Sequence, residues 1–161
     1  MKRIAFTLGT ILVTCALVAA EPKMANIGWL VGESKQNEKV LVLKVRNEIP
    51  SEALPAKYST AIEIHWKYTP DSRGMPAESV LAQFARLEAD TDPLQGDRLG
   101  YLMVVLTGNG ERRWLWYVAD PTAFAAGLSR LLPGHPFPIT LNAAATEPNW
   151  KTYRSMREKV H

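Results

Sequence analysis

One stretch of the chain, YLMVVLTGNGERRWLWYVADP, constrains the fold more than any other. Its apolar run suits a strand that is covered on both faces. The Asn-Gly that follows, at 109–110, is the dipeptide that two-residue hairpin turns prefer, because those turns need positive φ angles. Asp120 then fits the N-cap of a helix, with proline in its first turn. The stretch therefore predicts a hairpin, with strands at 101–106 and 112–119, that leads into a helix.

Other segments show the periodicities of further strands. Regular alternation predicts a strand at 58–68, with apolar residues on one face and Glu63, His65 and Lys67 on the other. The run KVLVLKVR at 39–46 predicts a strand, and WLVG at 29–32 a shorter one, joined by the polar loop SKQNE. A last strand is predicted at 138–141.

Helical spacing marks three further segments. A helix opened by Pro76 has an apolar stripe of Val80, Phe84 and Leu87, with Leu81 beside it. The helix after Asp120 has its own buried stripe, and Pro133-Gly134 ends it. A short helix is predicted at 147–158 with Thr146 as its cap. The stripe of the second helix consists of Phe124, Leu128, Leu131 and Leu132.

The order of these elements defines a fold class. From about residue 58 it is strand, helix, strand, strand, helix, strand, which is the ferredoxin-like split βαβ arrangement of an α+β protein. We expect the N-terminal hairpin to extend the sheet or pack on it, and a short helix to close the chain. The strands at 58–68 and 112–119 should be central neighbours, and we expect them to run parallel.

The first twenty residues have the character of a secretory signal. Lys2 and Arg3 precede an apolar run from Ile4 to Ala20, which ends in small residues suited to signal peptidase. We expect cleavage after Ala20, a periplasmic or secreted protein, and one domain at 21–161 with its core at about 26–156. Two alternatives are a retained N-terminal anchor and a lipoprotein processed at Cys15, although Thr14 fits lipoprotein processing poorly.

Processing at this position changes the composition of the protein. The whole chain has 19 Lys and Arg against 16 Asp and Glu, so removal of Lys2 and Arg3 leaves 17 against 16. A nearly neutral domain gives no electrostatic reason to expect a nucleic-acid partner. Cys15 is the only cysteine, so the processed protein has no disulfide, thiol nucleophile or thiolate metal site. We expect no cofactor, no metal and no membrane span after cleavage.

Two motifs carry a family resemblance. Gly110-Glu-Arg-Arg-Trp-Leu-Trp-Tyr117, with Asp120 and Phe124, resembles the core motif of a bacterial family known as domain of unknown function 695. The segment EPNWKTY at 147–153 resembles its closing element, although the family often has Asp-Pro where this chain has Glu-Pro. The resemblance covers about Asn26 to Met156. It implies no established activity and no catalytic residue, and because many members lack a signal peptide, a cytoplasmic role does not carry over.

Glu63 and His65 are the candidate catalytic residues. They share one face of a predicted central strand, where a carboxylate could orient the imidazole, or both could hold a metal. A zinc site needs a third ligand, which the sequence does not supply. The simpler interpretation is a solvated sheet face with cross-strand charge pairs, because two-residue spacing follows from the strand itself.

The aromatic residues of the return strand are the candidate ligand-binding residues. Both faces of the strand carry large groups, so one face must meet the helices and the other is either covered or exposed as a platform. Burial by the C-terminal segment is the simpler interpretation, since large aromatic side chains are usually buried. A groove for a peptide, sugar or small molecule is the alternative, with arginines as anion contacts. The candidates are Arg112, Arg113, Trp114, Trp116, Trp150 and Tyr153.

The function that these features favour is binding. We expect a small exported, non-catalytic interaction module of the cell envelope, with a peptide or envelope protein bound at a sheet edge or an aromatic groove. One alternative is a hydrolase that uses Glu63 and His65. Another is a purely structural envelope protein. His65 in a concave pocket would favour the enzyme, and complete burial of Trp114 and Trp116 would exclude the aromatic platform.

Overall fold

The computed structural model describes residues 28–36, 38–96, 99–134 and 136–160, without the side chains of residues 143 and 144. The predicted signal peptide, the predicted cleavage position and Cys15 lie outside these ranges. No helix in the described ranges is long and apolar enough to cross a membrane.

Six strands of the described chain form one antiparallel sheet, in the order β1-β2-β4-β5-β3-β6. Three helices and a 3₁₀ turn at Asp92–Leu94 complete a mixed α+β fold. The strands are β1 Trp29–Gln36, β2 Lys39–Arg46, β3 Thr60–Lys67, β4 Gly100–Gly108, β5 Glu111–Val118 and β6 Ile139–Thr146; the helices are α1 Glu78–Thr91, α2 Pro121–Leu131 and α3 Lys151–Glu158.

The predicted hairpin between β4 and β5 is confirmed. Asn109 and Gly110 both have positive φ, at 52° and 78°, which is the backbone that the Asn-Gly pair predicts. The carboxylate of Asp120 accepts hydrogen bonds from the backbone N–H of Thr122 at 2.8 Å and of Ala123 at 3.1 Å. Asp120 is therefore the N-cap of α2, as predicted.

The prediction that the two central strands run parallel is wrong. Strands β3 and β5 are neighbours, but they pair antiparallel throughout their length, from Thr60 opposite Val118 to Lys67 opposite Glu111. The reason is the hairpin: α1 carries the chain from β3 to β4, and β5 then turns back into the gap between them. A strand that returns in this way is antiparallel to both neighbours.

Both sides of the sheet are covered, and each has its own core. On the α1/α2 side, inward residues of β3 and β5 such as Ile62, Trp114 and Trp116 pack against Phe84 of α1 and Phe124 of α2. The α3-side core is rich in aromatic residues, and three tyrosines of the sheet and its approach belong to it together with residues of the last helix. That second core is built around Tyr58, Tyr101, Tyr117, Trp150 and Tyr153.

A bulge in β4 lets one strand contribute to both cores. The β4–β5 register shifts between Leu102 and Val104, so the simple alternation of side chains is interrupted there. Leu102 and Val105 point to the α1/α2 side, whereas Met103 and Val104 both belong to the α3-side core. The unbroken apolar run of β4 is explained by this burial on both sides, as predicted.

The polar ends of several elements differ from prediction. Ser34, Lys35 and Gln36 continue β1 instead of forming a loop, because each pairs with a residue of β2. Strand β6 extends to Thr146, so Thr146 is not a helix cap. Helix α3 begins at Lys151, after Trp150, which has a left-handed backbone with φ of 51°.

The predicted apolar stripe of α1 is confirmed, because Phe84 and Leu87 are buried and Val80 packs against the core. Leu81, beside that stripe, is 42% exposed. The N-terminal hairpin extends the sheet, as predicted, because β2 pairs with β4.

Candidate functional site

Helix α3 covers only part of its side of the sheet. Val45 of β2 and Val104 of β4 face each other beneath it and are fully buried. The next pair along the same strands, Leu43 opposite Leu106, is only half-buried. The sheet therefore has an apolar area that no helix of the described chain covers.

This area forms the floor of a groove with a volume of about 460 Å³, here called the α3-side groove. The floor consists of Leu41, Leu43 and Leu106, and the end of α3 forms a wall with Met156 and Val160. A cavity of this size lies within the range of pockets that bind small ligands. The polar lining residues are Glu33, Ser34, Gln36, Arg113 and Lys159.

Glycine at position 32 allows the groove to close on one side. A Cβ atom added there would lie 3.2 Å from Cγ1 of Val160, which is tighter than ordinary van der Waals contact. The chain end that follows α3 can therefore approach β1 closely.

A charged network lies beside the groove, with His65 at its centre. Nε2 of His65 is 2.7 Å from a carboxylate oxygen of Glu63, and Nδ1 is 3.0 Å from one of Glu111. The side chain of His65 is 15% exposed. Cross-strand pairing produces this arrangement, since His65 lies opposite Arg113 and Glu111 lies opposite Lys67 in the β3–β5 register. Glu63 and His65 are thus brought together as the sequence indicated.

The geometry of this network restricts its chemistry. A neutral imidazole has one N–H donor, so only the doubly protonated ring can donate to both carboxylates at once. Glu63 faces Nε2 of His65 and Glu111 faces Nδ1. A metal ion bound to one of these nitrogens could therefore not be bound by both carboxylates. Within the described residues, no group of three or more metal-ligating side chains is placed to hold a metal.

Arg113 connects the charged network to the groove. Its guanidinium lies 3.8 Å from Glu111 and 4.0 Å from Glu63, and its side chain is 35% exposed. Both distances exceed the length of a hydrogen bond, so the pairing leaves guanidinium donors for a ligand. A smaller cavity, of about 160 Å³, continues the groove past Arg113 to Glu111 and the β4–β5 turn.

Arg112 is on the opposite side of the sheet from Arg113. It forms an ion pair with Glu88 of α1, and its guanidinium lies 4.9 Å from the ring centre of Phe84. The indole N–H of Trp114 donates to the same Glu88 oxygen at 2.8 Å. Arg112 therefore links α1 to the sheet, whereas Arg113 lines the groove on the other side, so the two arginines do not share one surface.

The interpretation of an exposed aromatic platform is also wrong. Trp114 and Trp116 are 2% and 1% exposed beneath α1 and α2, and Trp150 and Tyr153 are equally buried on the α3 side. The indole of Trp150 stacks on Tyr117 with ring centres 4.5 Å apart. These four aromatic candidates fill the two cores, and of the ligand-binding candidates only Arg113 lines the groove.

The two motifs behind the family resemblance meet on the α3 side. Glu147 accepts hydrogen bonds from the hydroxyl of Tyr117 at 2.8 Å and from the backbone N–H and hydroxyl of Thr152 at 2.9 and 2.6 Å. Burial opposes ionisation of Glu147, but these donors outweigh it and lower its pKa. Burial, aided by the neighbouring Glu147, raises the pKa of Tyr117 well above its ordinary value.

Several residues of the groove were not among the sequence candidates. In the sequence, the floor leucines have the pattern of ordinary strand residues, and Glu111 has the position of a turn residue. Glu111 lies across from Lys67, at the end of β3, only because β3 and β5 pair antiparallel, so the predicted parallel arrangement could not have placed it there. Nothing in the sequence indicates that α3 leaves Leu43 and Leu106 partly uncovered. The area that α3 covers depends on the residue at which the helix begins.

Comparison with known proteins identifies the chain by its family alone. The model of a family described as a family of unknown function, DUF695, matches residues 28–156. No curated protein and no solved structure matches the chain. The match spans both motifs and every helix and strand from β1 almost to the end of α3.

Proposed function

Since the chain belongs to the DUF695 family, which has no established activity, we propose a function from the site alone: a non-catalytic binding module of the cell envelope. Its ligand is an extended peptide segment with apolar side chains and a carboxylate, held in the α3-side groove. The observation that carries the proposal is an uncovered apolar floor with a partly exposed arginine at its end.

The shape of the groove favours an extended peptide. Alternate residues of β1, from Gly32 to Gln36, line it together with Leu41 and Leu43 of the next strand. Strands rise about 3.3 Å per residue, so this lining runs for roughly 13 Å, or about four residues of an extended chain. Apolar side chains of such a peptide would lie on the leucine floor and gain from leaving water.

The charges at the end of the groove favour a carboxylate. Arginine binds carboxylates through two parallel N–H groups, which gives both affinity and direction. Arg113 lies directly opposite Leu106 in the β4–β5 register, where it lines the groove, and Lys159 adds a second positive charge. A peptide with a free C-terminus, or with an acidic residue at its end, has the chemistry that this arrangement would recognise.

Binding is favoured over hydrolysis because of how His65 is engaged. A general base needs a ring nitrogen that can accept a proton from a bound substrate. Both ring nitrogens of His65 already face carboxylates, from Glu63 and Glu111. The network is better suited to holding Arg113 in position, because its two acidic residues flank the guanidinium on either side.

The fold assignment belongs to the same proposal. We infer that the chain from β3 to β6 is a ferredoxin-like split βαβ unit, extended by the β1–β2 hairpin. Two findings support this: the strand order β4-β5-β3-β6 and the packing of α1 and α2 against the same side of the sheet. An experimental structure would test it, because the unit requires right-handed crossovers through both helices.

A peptide-binding measurement tests the function. We expect the protein to bind apolar peptides with free C-termini more tightly than the same peptides with amidated ends. Replacing Arg113 with alanine should weaken binding about ten- to a hundredfold, since a hydrogen bond to a charged group contributes about 1.5–3 kcal/mol. Isothermal titration or fluorescence anisotropy on a small peptide library would measure both effects.

Arg130→Ala is the matched control, because Arg130 is an exposed arginine on α2, on the other side of the sheet. It should leave the affinity unchanged. Thermal unfolding of each variant would show that the fold is intact. Equal binding of free and amidated peptides, or equal affinity of Arg113→Ala and wild type, would contradict the carboxylate assignment.

A further inference from the structure

The charged network beside the α3-side groove contains one group whose charge can change near neutral pH. Histidine is the side chain that ordinarily gains or loses a proton between about pH 5 and 8. His65 faces Glu63 at 2.7 Å through Nε2 and Glu111 at 3.0 Å through Nδ1. Both distances are those of hydrogen bonds, and only a ring that carries a proton on each nitrogen can donate both. The geometry is therefore that of the positively charged ring.

Loss of one proton from His65 leaves one of its two carboxylate neighbours without a donor. The deprotonated nitrogen presents a lone pair to a carboxylate oxygen, and two acceptors in contact repel each other. Arg113 is a cation within reach of both carboxylates, since its guanidinium lies 3.8 Å from Glu111 and 4.0 Å from Glu63. A hydrogen bond is about 2.9 Å long, so a movement of about 1 Å would bring either carboxylate onto the guanidinium.

We propose that His65 is a positioning residue for Arg113, and that its second proton switches the groove to a state of higher affinity for a carboxylate. The inference rests on the proposed function, since it concerns the ligand carboxylate that Arg113 binds. With the ring charged, Glu63 and Glu111 are held by His65, and the guanidinium is left to the ligand. With the ring neutral, one of the two carboxylates competes with the ligand for Arg113.

The balance of charge in the network points in the same direction. With a neutral ring, the two negative charges of Glu63 and Glu111 exceed the single positive charge of Arg113, so a ligand carboxylate meets a net negative cluster. The second proton on His65 makes the cluster neutral. One charge at a partly exposed site changes the affinity for another charge nearby by about three- to tenfold. Carboxylate binding and protonation of His65 therefore favour each other.

The other described groups around the imidazole ordinarily keep their charge near neutral pH. On β3, Lys67 follows on the same side of the strand and is exposed. On β6, the residues paired with this part of β3 include Thr140 and Asn142, and neither side chain ionises. Glu33 and Lys159 are the other charged residues that line the groove. Lysine, arginine and carboxyl groups ordinarily stay charged from about pH 5.5 to 8.5, which leaves the imidazole as the switch.

Peptide affinity measured against pH tests the switch. The probe is an acetylated Leu-Ala-Leu-Ala peptide with a free C-terminus, because acetylation removes the amino group and an α-carboxyl group stays ionised above about pH 5. We expect isothermal titration to give an affinity about three- to tenfold higher at about pH 5.5 than at about pH 8.5. The same peptide with an amidated end should show no such change, because it brings no negative charge to Arg113.

Two variants separate the switch from a purely structural role of the ring. His65→Gln keeps a hydrogen-bonding side chain that cannot become charged, so it should bind the free peptide weakly and equally at every pH. Glu111→Gln removes one of the two competing carboxylates. It should bind the free peptide more tightly than wild type at about pH 8.5, with a flatter dependence on pH. A ring that served only to hold the strands together would not change the pH profile in either way.

The other two histidines of the chain provide the matched control. His135 and His161 lie outside the described residues, and replacing both with glutamine should leave the pH dependence of wild type intact. Circular dichroism at each pH would show that every variant is folded. Tighter binding of the free than of the amidated peptide by a factor that is independent of pH would overturn the switch and leave the proposed function standing. Equal binding of the two peptides at every pH would overturn both.

Discussion

At the scale of single residues, Glu147 connects β5 to the start of α3 through hydrogen bonds on the α3 side of the sheet. It accepts three hydrogen bonds, from Tyr117 and Thr152, just before the chain turns into α3. Trp150 follows in a left-handed backbone conformation that non-glycine residues rarely adopt. Its complete burial and the hydrogen bond from its indole N–H to the carbonyl of Tyr58, at 2.7 Å, hold it there.

We predict that Glu147→Gln destabilises the protein at neutral pH by about 1.5–3 kcal/mol, the usual contribution of a hydrogen bond to a charged group. The pKa of Glu147 is lowered in the folded state, so the stability it contributes is fully present above its unfolded pKa. That stability is lost as pH falls through the lowered folded value. Wild type and variant should therefore become equally stable in acid.

Denaturant unfolding from pH 7 down to about pH 3 would measure this convergence. Glu158→Gln is the control, because Glu158 is an exposed glutamate at the end of the same helix. It should show little effect at any pH. A Glu147→Gln penalty that stays constant across the range would mean that the side chain acts through its shape and not through its charge.

At the scale of elements, the β4–β5 hairpin determines the arrangement of the whole sheet. Its turn places β5 between β3 and β4, and its first residue, Glu111, reaches the charged network around His65. Gly110 has a φ of 78° and lies against the segment that directly follows β3, where an added Cβ would be 3.1 Å from the carbonyl oxygen of Tyr68. The turn therefore depends on glycine for two separate reasons.

We predict that Gly110→Ala destabilises the protein by about 1–2 kcal/mol from the left-handed backbone alone, and by more because of the contact with Tyr68. Gly134→Ala isolates the first effect, since Gly134 has a similar φ of 74° with no atom within 4 Å of the added Cβ. Thermal or denaturant unfolding of both variants gives the difference. Equal penalties would show that the contact with Tyr68 costs nothing.

Sequence periodicity was informative where one principle decides the structure, and it failed where several compete. The apolar run of β4, the Asn-Gly turn and the Asp120 cap each depend on local chemistry, and the structure confirms them. The polar end of β1 and the length of β6 depend on pairing with a neighbour, which overrides weak local preferences. The start of α3 depends on the burial of Trp150, a tertiary effect.

The candidate site was predictable in part for the same reason. Glu63 and His65 share a strand face by spacing alone, so the sequence could place them together. Arg113 was chosen for its position at the hairpin end, and it does reach the groove. The four aromatic candidates were placed on the correct strands and helix, but only the packing of three helices shows that they are buried.

At the scale of the whole molecule, helices cover the two sides of the sheet unequally. The α1/α2 side forms a core, and the α3 side also carries the candidate binding groove. Helices α1 and α2 cover the central strands on one side. The much shorter α3 covers only part of the other side, and the groove is the area that remains.

Export is the prediction that concerns the chain as a whole. We expect the protein recovered after secretion to begin at Glu21, because the apolar segment before it ends in small residues suited to signal peptidase. Intact-mass analysis of the protein from the periplasmic and culture fractions would measure this. A mass that includes residues 1–20 would favour a retained anchor, and a lipid-modified mass that begins at Cys15 would favour a lipoprotein.

The position of α3 after the six strands of the sheet has a consequence for the order of folding. A chain that emerges N-terminus first, from a ribosome or a translocation channel, can pair its strands before its last helix is available. Until Trp150 and α3 arrive, Tyr58, Tyr101 and Tyr117 have no cover on the α3 side. The nascent sheet would expose an aromatic face throughout that interval, so this is the stage at which a chaperone would protect the chain from aggregation.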